Sequence, residues 1–275
     1  MKKIGIALAG GGARGAYQIG VWKALKEHGI DTHISAYSGA SVGSLNAVLF
    51  AMGDYEKAEK TWLNIHSVDL FSTKRKLFKR LYREKLELLN SGLYRTSKLE
   101  QLMDETIDYK KLKGKEVYVA TTHIGDDKST FFDLIKVNYR HYLKSDKHTD
   151  YNNISEFSDD KIKQTVLASC AIPIAFKPVI INNETYYDGG IFDNIPCEPL
   201  IENGCDVIIA VDLFKNNLQR RKLKQIKQKV VVIRPSHGLR GILDFRQKHF
   251  ERRFELGYID GINAIPKIKE LIKEN

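Results

Sequence analysis

Long apolar runs, paired cysteines and clustered histidines are all missing from this 275-residue chain, and each absence removes a class of protein. No stretch approaches the roughly 18 apolar residues that a membrane-crossing helix needs. The three cysteines, Cys170, Cys197 and Cys205, are an odd number without metal-type spacing. They suit free thiols in a reducing, cytoplasmic compartment better than a disulfide framework. The eight histidines are scattered, with no HExxH or paired-ligand spacing, so no metal and no cofactor is expected. The six prolines form no linker, and there is no repeat or low-complexity tract, so residues 1–275 read as one domain. The opening MKKIGIALAGGGARG has the lysines and apolar run of a signal peptide, but the run is short and enters glycines and Arg14. It reads as a first buried strand.

Acidic residues are also short: 34 against 44 lysines and arginines, a net charge of +10. Segment 74–85, KRKLFKRLYREK, and segment 215–229, KNNLQRRKLKQIKQK, each carry seven basic residues. Such runs suit an anionic partner, an acidic membrane surface or nucleic acid, or equally two solvated helix faces.

Strand-like runs fall at 4–9, 117–122, 130–135, 207–213 and 230–233, several of them continuously apolar as in strands covered on both faces. Helical spacing appears at about 15–28, 42–52, 54–66, 97–107 and 161–170, with an amphipathic stretch near 244–272. The alternation predicts an α/β fold, a three-layer α/β/α sandwich with a mainly parallel central sheet. The basic stretch 68–95 breaks the rhythm and reads as an insertion or lid.

Three motifs carry chemistry. Gly10-Gly11-Gly12-Ala13-Arg14-Gly15 follows a strand and precedes a helix, so its backbone N–H groups can face a phosphate or an oxyanion. It fits a dinucleotide fingerprint only by spelling, because the expected acidic residue is poorly matched, and no Gly-Lys-Ser/Thr follows it. Gly39-Ala40-Ser41-Val42-Gly43 lies between the apolar run HISAY and the helix-like SLNAVLFAM, the setting of a nucleophile elbow or of a plain capped turn. Asp188-Gly189-Gly190 lets a carboxylate approach a partner closely at a strand end, with Asp193 and Asp212 as nearby alternatives.

Together, in this order, GGGARG, GASVG and DGG resemble the patatin-like phospholipase family. Ala168-Ser169-Cys170-Ala171-Ile172-Pro173 with Phe176 resembles its ASxxxP segment, and Asn194 and Pro196 continue the pattern. The resemblance spans about residues 4–213. Regions 64–115, 136–160 and the C-terminal 60 residues show no motif of the family. It implies a lipid acyl hydrolase working through a Ser–Asp dyad and an acyl-enzyme. Ser41 would attack, Asp188 would accept its proton, and the backbone around Gly10, Gly11, Gly12, Arg14 and Gly15 would hold the oxyanion. Arg14 would contact a lipid phosphate or steady the loop. The implied partners are a lipid or phospholipid and an anionic membrane surface, with no nucleic acid. Two other readings stand beside it: a Ser-Asp-His esterase using His237, in the loop after VVVIRP, and a non-catalytic module binding anionic lipid. Cys170, in a small-residue apolar stretch, and His123, after a strand, read as structural.

Overall fold

The computed structural model describes residues 2–65, 97–123, 149–172, 176–214, 223, 226 and 228–273. The expected strand at 130–135, the basic stretch 68–95 and most of 215–229 lie outside them. The chain runs β1 (Ile4–Leu8), α1 (Ala16–Glu27), β2 (Ile34–Ala40), α2 (Val42–Met52), α3 (Tyr55–Ile65) and α4 (Ser97–Thr106). It continues through β3 (Glu116–His123), β4 (Thr149–Asn153), α5 (Asp159–Ser169), β5 (Val179–Ile181), β6 (Glu184–Asp188) and α6 (Glu198–Glu202). The last elements are β7 (Val207–Val211), β8 (Lys229–Ile233) and α7 (Gln247–Lys273).

The sheet order is β5-β6-β3-β2-β1-β7-β8, with β4 also paired to β3. Strands β3, β2, β1, β7 and β8 are parallel neighbours, the mainly parallel centre of an α/β/α sandwich. β1 and β7 are buried at every position, as strands covered on both faces must be.

Strand β3 decides where the site forms. β4 pairs antiparallel with Tyr118–Thr122, β2 pairs with Glu116–Ala120, and β6 pairs with Thr121–His123. A strand has two edges, and β4 overlaps both of the others, so β2 and β6 share the opposite edge. Ala40 faces Ala120 and Asp188 faces Thr121, so one strand hands that edge to the other within a single register step. The residue after Ala40 is Ser41.

On the far side, α1 and α7 meet with their backbones nearly touching. A Cβ on Gly20 would lie 2.0 Å from the Phe254 carbonyl oxygen, and one on Gly257 would lie 2.0 Å from that of Tyr17. Tyr17 Oη then donates to Asp260 Oδ2 at 2.9 Å.

Candidate active site

Ser41 sits at the β2–α2 turn with φ 54° and ψ −131°, a backbone conformation that non-glycine residues rarely adopt. Such strain costs about 1–3 kcal/mol and persists only where surrounding contacts impose it. The flanking glycines make the turn possible, because a Cβ on Gly39 would meet the Gly43 carbonyl oxygen at 2.1 Å and one on Gly43 would meet that of Leu8 at 2.1 Å. The Ser41 N–H donates to Ser169 Oγ at 2.9 Å, and Ser169 Oγ donates to the Ala120 carbonyl at 2.6 Å. The ASxxxP segment thus holds the elbow to β3 through Ser169, a role its small size in the sequence did not announce.

Asp188 is equally fixed. Its N–H donates to the Ala171 carbonyl at 3.1 Å, its own carbonyl accepts from Thr122 Oγ1 at 2.9 Å, and Oδ1 accepts the Gly190 N–H at 2.8 Å. The second carboxyl oxygen, Oδ2, is buried and has no hydrogen-bond partner of ordinary geometry. Burial drives the Asp188 pKa up to about 7, although the Ser41 hydroxyl and the Gly190 N–H both pull it down.

The glycine-rich loop closes the third side. The Gly10 N–H is spent on the Asn194 carbonyl at 3.1 Å, and Asn194 Nδ2 returns a bond to the Gly10 carbonyl at 3.2 Å. Asn194 Oδ1 lies where side chains on Gly10 or Gly190 would stand, so this residue ties the loop to the aspartate turn. The Ala13 and Arg14 N–H groups bond to Ile242 and Gly11 carbonyls. Gly15 packs against the Trp62 ring. Of the five loop residues expected at an oxyanion site, Gly11 and Gly12 keep N–H groups with no protein acceptor among the described residues. Arg14 is turned to other work: Nε donates to the Arg240 carbonyl at 2.8 Å, and the guanidinium lies 4.5 Å from the Phe214 ring centre. Of its two expected roles, those contacts support steadying the loop.

Two cavities share Ser41. One, about 510 Å³, is bordered by Gly10, Gly11, Gly12, Asp188, Gly190 and Phe214, bringing all three motifs to one hollow. The other, about 540 Å³, is walled by apolar side chains such as Leu45, Trp62, Ile65, Leu102 and Phe176. Cys170 lines the apolar cavity, where burial and the Asp188 charge raise its thiol far above the ordinary range. That leaves it inert at neutral pH.

No histidine lines either cavity among the described residues. His237 is exposed beside Ser236, His123 bonds to Glu184 at 2.9 Å, and His249 is buried 3.3 Å from Asp244. Asp193 accepts from Tyr151 Oη at 2.7 Å and caps Ile195, and Asp212 caps Phe214. Neither alternative aspartate borders the cavities at Ser41. No group of three or more His, Cys, Asp or Glu side chains among the described residues could hold a metal ion.

A strained serine elbow, a buried carboxylate and a glycine-rich loop around one hollow define the class of a serine-elbow α/β protein. Comparison with known proteins narrows it. The patatin-like phospholipase profile matches residues 6–201, and the chain belongs to that family. It is 29% identical over 214 residues to the lysophospholipase NTE1 of Cryptococcus neoformans var. neoformans serotype D, which covers 77% of this chain and 11% of that protein. The lysophospholipase NTE1 of Kluyveromyces lactis is 27% identical over 219 residues, covering 76% of this chain and 12% of that one. The chain thus spans about a tenth of the length of these relatives. In fold it resembles human GIVD cytosolic phospholipase A2, with TM-score 0.57 and 10% identity over 99% of this chain and 60% of that one. VipD from Legionella pneumophila gives TM-score 0.54 and 16% identity, covering 97% and 67% of the two chains.

Proposed function

We propose that this chain is a lipid acyl hydrolase that cleaves carboxylic esters through a Ser41–Asp188 dyad. The observation that carries the reading is the buried Oδ2 of Asp188, without a well-formed hydrogen bond, beside a strained Ser41, where the hollow that gathers the three motifs meets the apolar cavity. Ser41 Oγ attacks the ester carbonyl while Asp188 takes its proton. A carboxylate whose pKa has risen to about 7 is a far better base than an ordinary one. The Gly11 and Gly12 N–H groups receive the negative charge of the tetrahedral intermediate, each such donor contributing about 3 kcal/mol at the transition state. The alcohol leaves with the proton, and water then cleaves the acyl-enzyme by the same steps in reverse order.

The apolar cavity suits an acyl chain, and the names of the relatives point to phospholipids or lysophospholipids as the substrate class. Among the described residues no histidine borders either cavity and His237 is exposed, which favours the dyad over a triad through His237. A fluorophosphonate probe tests the reading. It should label the wild type at Ser41 and leave a folded Ser41→Ala variant unlabelled and inactive on p-nitrophenyl butyrate. Undiminished hydrolysis by Ser41→Ala would end the proposal.

A further inference from the structure

The family match ends at residue 201, yet the site is finished by residues 239–245, between β8 and α7. The Ile242 carbonyl accepts the Ala13 N–H at 2.7 Å, and the Arg240 carbonyl accepts from Arg14. Gly12, at φ 55°, passes so close that a Cβ there would lie 2.3 Å from the Ile242 carbonyl oxygen. Ile242 borders the hollow that gathers the three motifs, while Leu243 and Phe245 wall the apolar cavity.

This segment is irregular, so its shape depends on what satisfies its carbonyls. One side chain does most of that. Arg253 on α7 is 3% exposed, and donates to the carbonyls of Leu239 at 2.9 Å, Gly241 at 3.0 Å and Asp244 at 2.7 Å. Its Nη1 also reaches the Ala13 carbonyl at 3.1 Å, inside the glycine-rich loop. Burying a cation is costly unless its donors are satisfied, and here four carbonyls from two loops satisfy it.

We propose that Arg253 is a positioning residue for the ester chemistry, bracing the glycine-rich loop against residues 239–245 so that the Gly11 and Gly12 N–H groups point at the oxyanion. The role rests on the hydrolase reading above. Arg253 touches no substrate and acts through Ala13. An oxyanion exists only after attack, so a loosened loop lowers kcat more than it weakens binding of the intact ester.

Arg253→Met keeps the length of the stem and removes every donor. On p-nitrophenyl butyrate its kcat should fall roughly 30- to 100-fold with KM within about threefold, and with the acid limb of the pH profile unmoved, because Asp188 is untouched. Backbone amides in the 8–15 peptide should exchange with deuterium faster than in the wild type. Arg253→Lys, which keeps the charge and some donors, should recover most of the lost kcat. If Arg253→Met does not fold, Arg253→Lys carries the test, with a smaller kcat loss and the same exchange signature. Wild-type kcat in a folded Arg253→Met, unchanged exchange, or a loss confined to KM would overturn the role. A wild type inert towards esters and unlabelled at Ser41 would instead overturn the hydrolase reading, and this role with it.

Discussion

At the scale of single residues, the proposed chemistry turns on a carboxyl group that burial has made reluctant to ionise. In the proposed dyad Asp188 must be charged to take the Ser41 proton, so kcat/KM should rise with pH along an acid limb with an apparent pKa near 7. A limb near 4 would mean a base in ordinary solvent. The same shift carries a stability cost whose sign is fixed. Between the ordinary carboxyl pKa of 3.8 and about 7 the folded chain holds a proton that the unfolded chain has lost, so stability falls as pH rises through that window. Asp188→Asn removes the buried charge. Its melting temperature should exceed that of the wild type at pH 8, with the gap narrowing towards pH 5; a gap that widens on acidification would refute the assignment. Ser169→Ala makes a further test, because it leaves the buried Ser41 N–H unpaired. That should cost about 1–3 kcal/mol in denaturant unfolding.

At the scale of elements, buried polar bonds and bare backbone contacts hold the loop-bearing helices in place. Asn46 on α2 donates to the Gly15 carbonyl and to Gln18 Oε1, and accepts from Trp62 Nε1 at 2.8 Å, while Gln18 reaches the Ala9 carbonyl. One side chain thereby joins α1, α2, α3 and the glycine-rich loop. Asn46→Leu would strand several of these groups at once and should lower stability by about 3 kcal/mol or more, read from the urea midpoint. Gly257→Val should separate α1 from α7 and lower the melting temperature, whereas Val at the open Gly238 should do little beyond a local backbone effect.

Most of these elements are legible in the chain. The 42–52 helix is found as expected, and the helices read at 15–28, 54–66, 97–107, 161–170 and 244–272 lie within a few residues of expectation, because apolar spacing marks their buried faces. β4, with sequence TDYNN, has no apolar alternation at all; its form comes from pairing with β3, which no local pattern announces. The β5–β6 hairpin did leave a signal. Asn182 and Asn183, at φ 52° and 67°, form the left-handed pair that tight hairpins favour, and the aspartate motif rides on its second strand.

At the scale of the whole molecule, motifs far apart in sequence converge because β3 accepts β2 and β6 along one edge. Motif order could propose that Ser41 and Asp188 meet, but only the register places them one step apart. The C-terminal contacts leave no local signal for a similar reason: Arg253 and Ile242 belong to no motif, and their bonds to Ala13 form only in the folded chain. Charge acts at this scale too. Neutralising Lys74, Arg75, Lys76, Lys79 and Arg80 together should weaken sedimentation with anionic vesicles, at about 1 kcal/mol per residue and less in high salt. Hydrolysis of a soluble ester should hardly change. Binding that ignores both the substitutions and salt would leave these residues as solvated surface.

The measurement that bears most directly on the central claim is kcat/KM on p-nitrophenyl butyrate for folded Asp188→Asn and His237→Ala, side by side. The account predicts a loss of several orders of magnitude for Asp188→Asn. It predicts that His237→Ala stays within roughly tenfold of wild type, about 1.4 kcal/mol in barrier or less. A thousandfold loss at His237 with a mild effect at Asp188 would contradict the dyad and hand the proton to an imidazole.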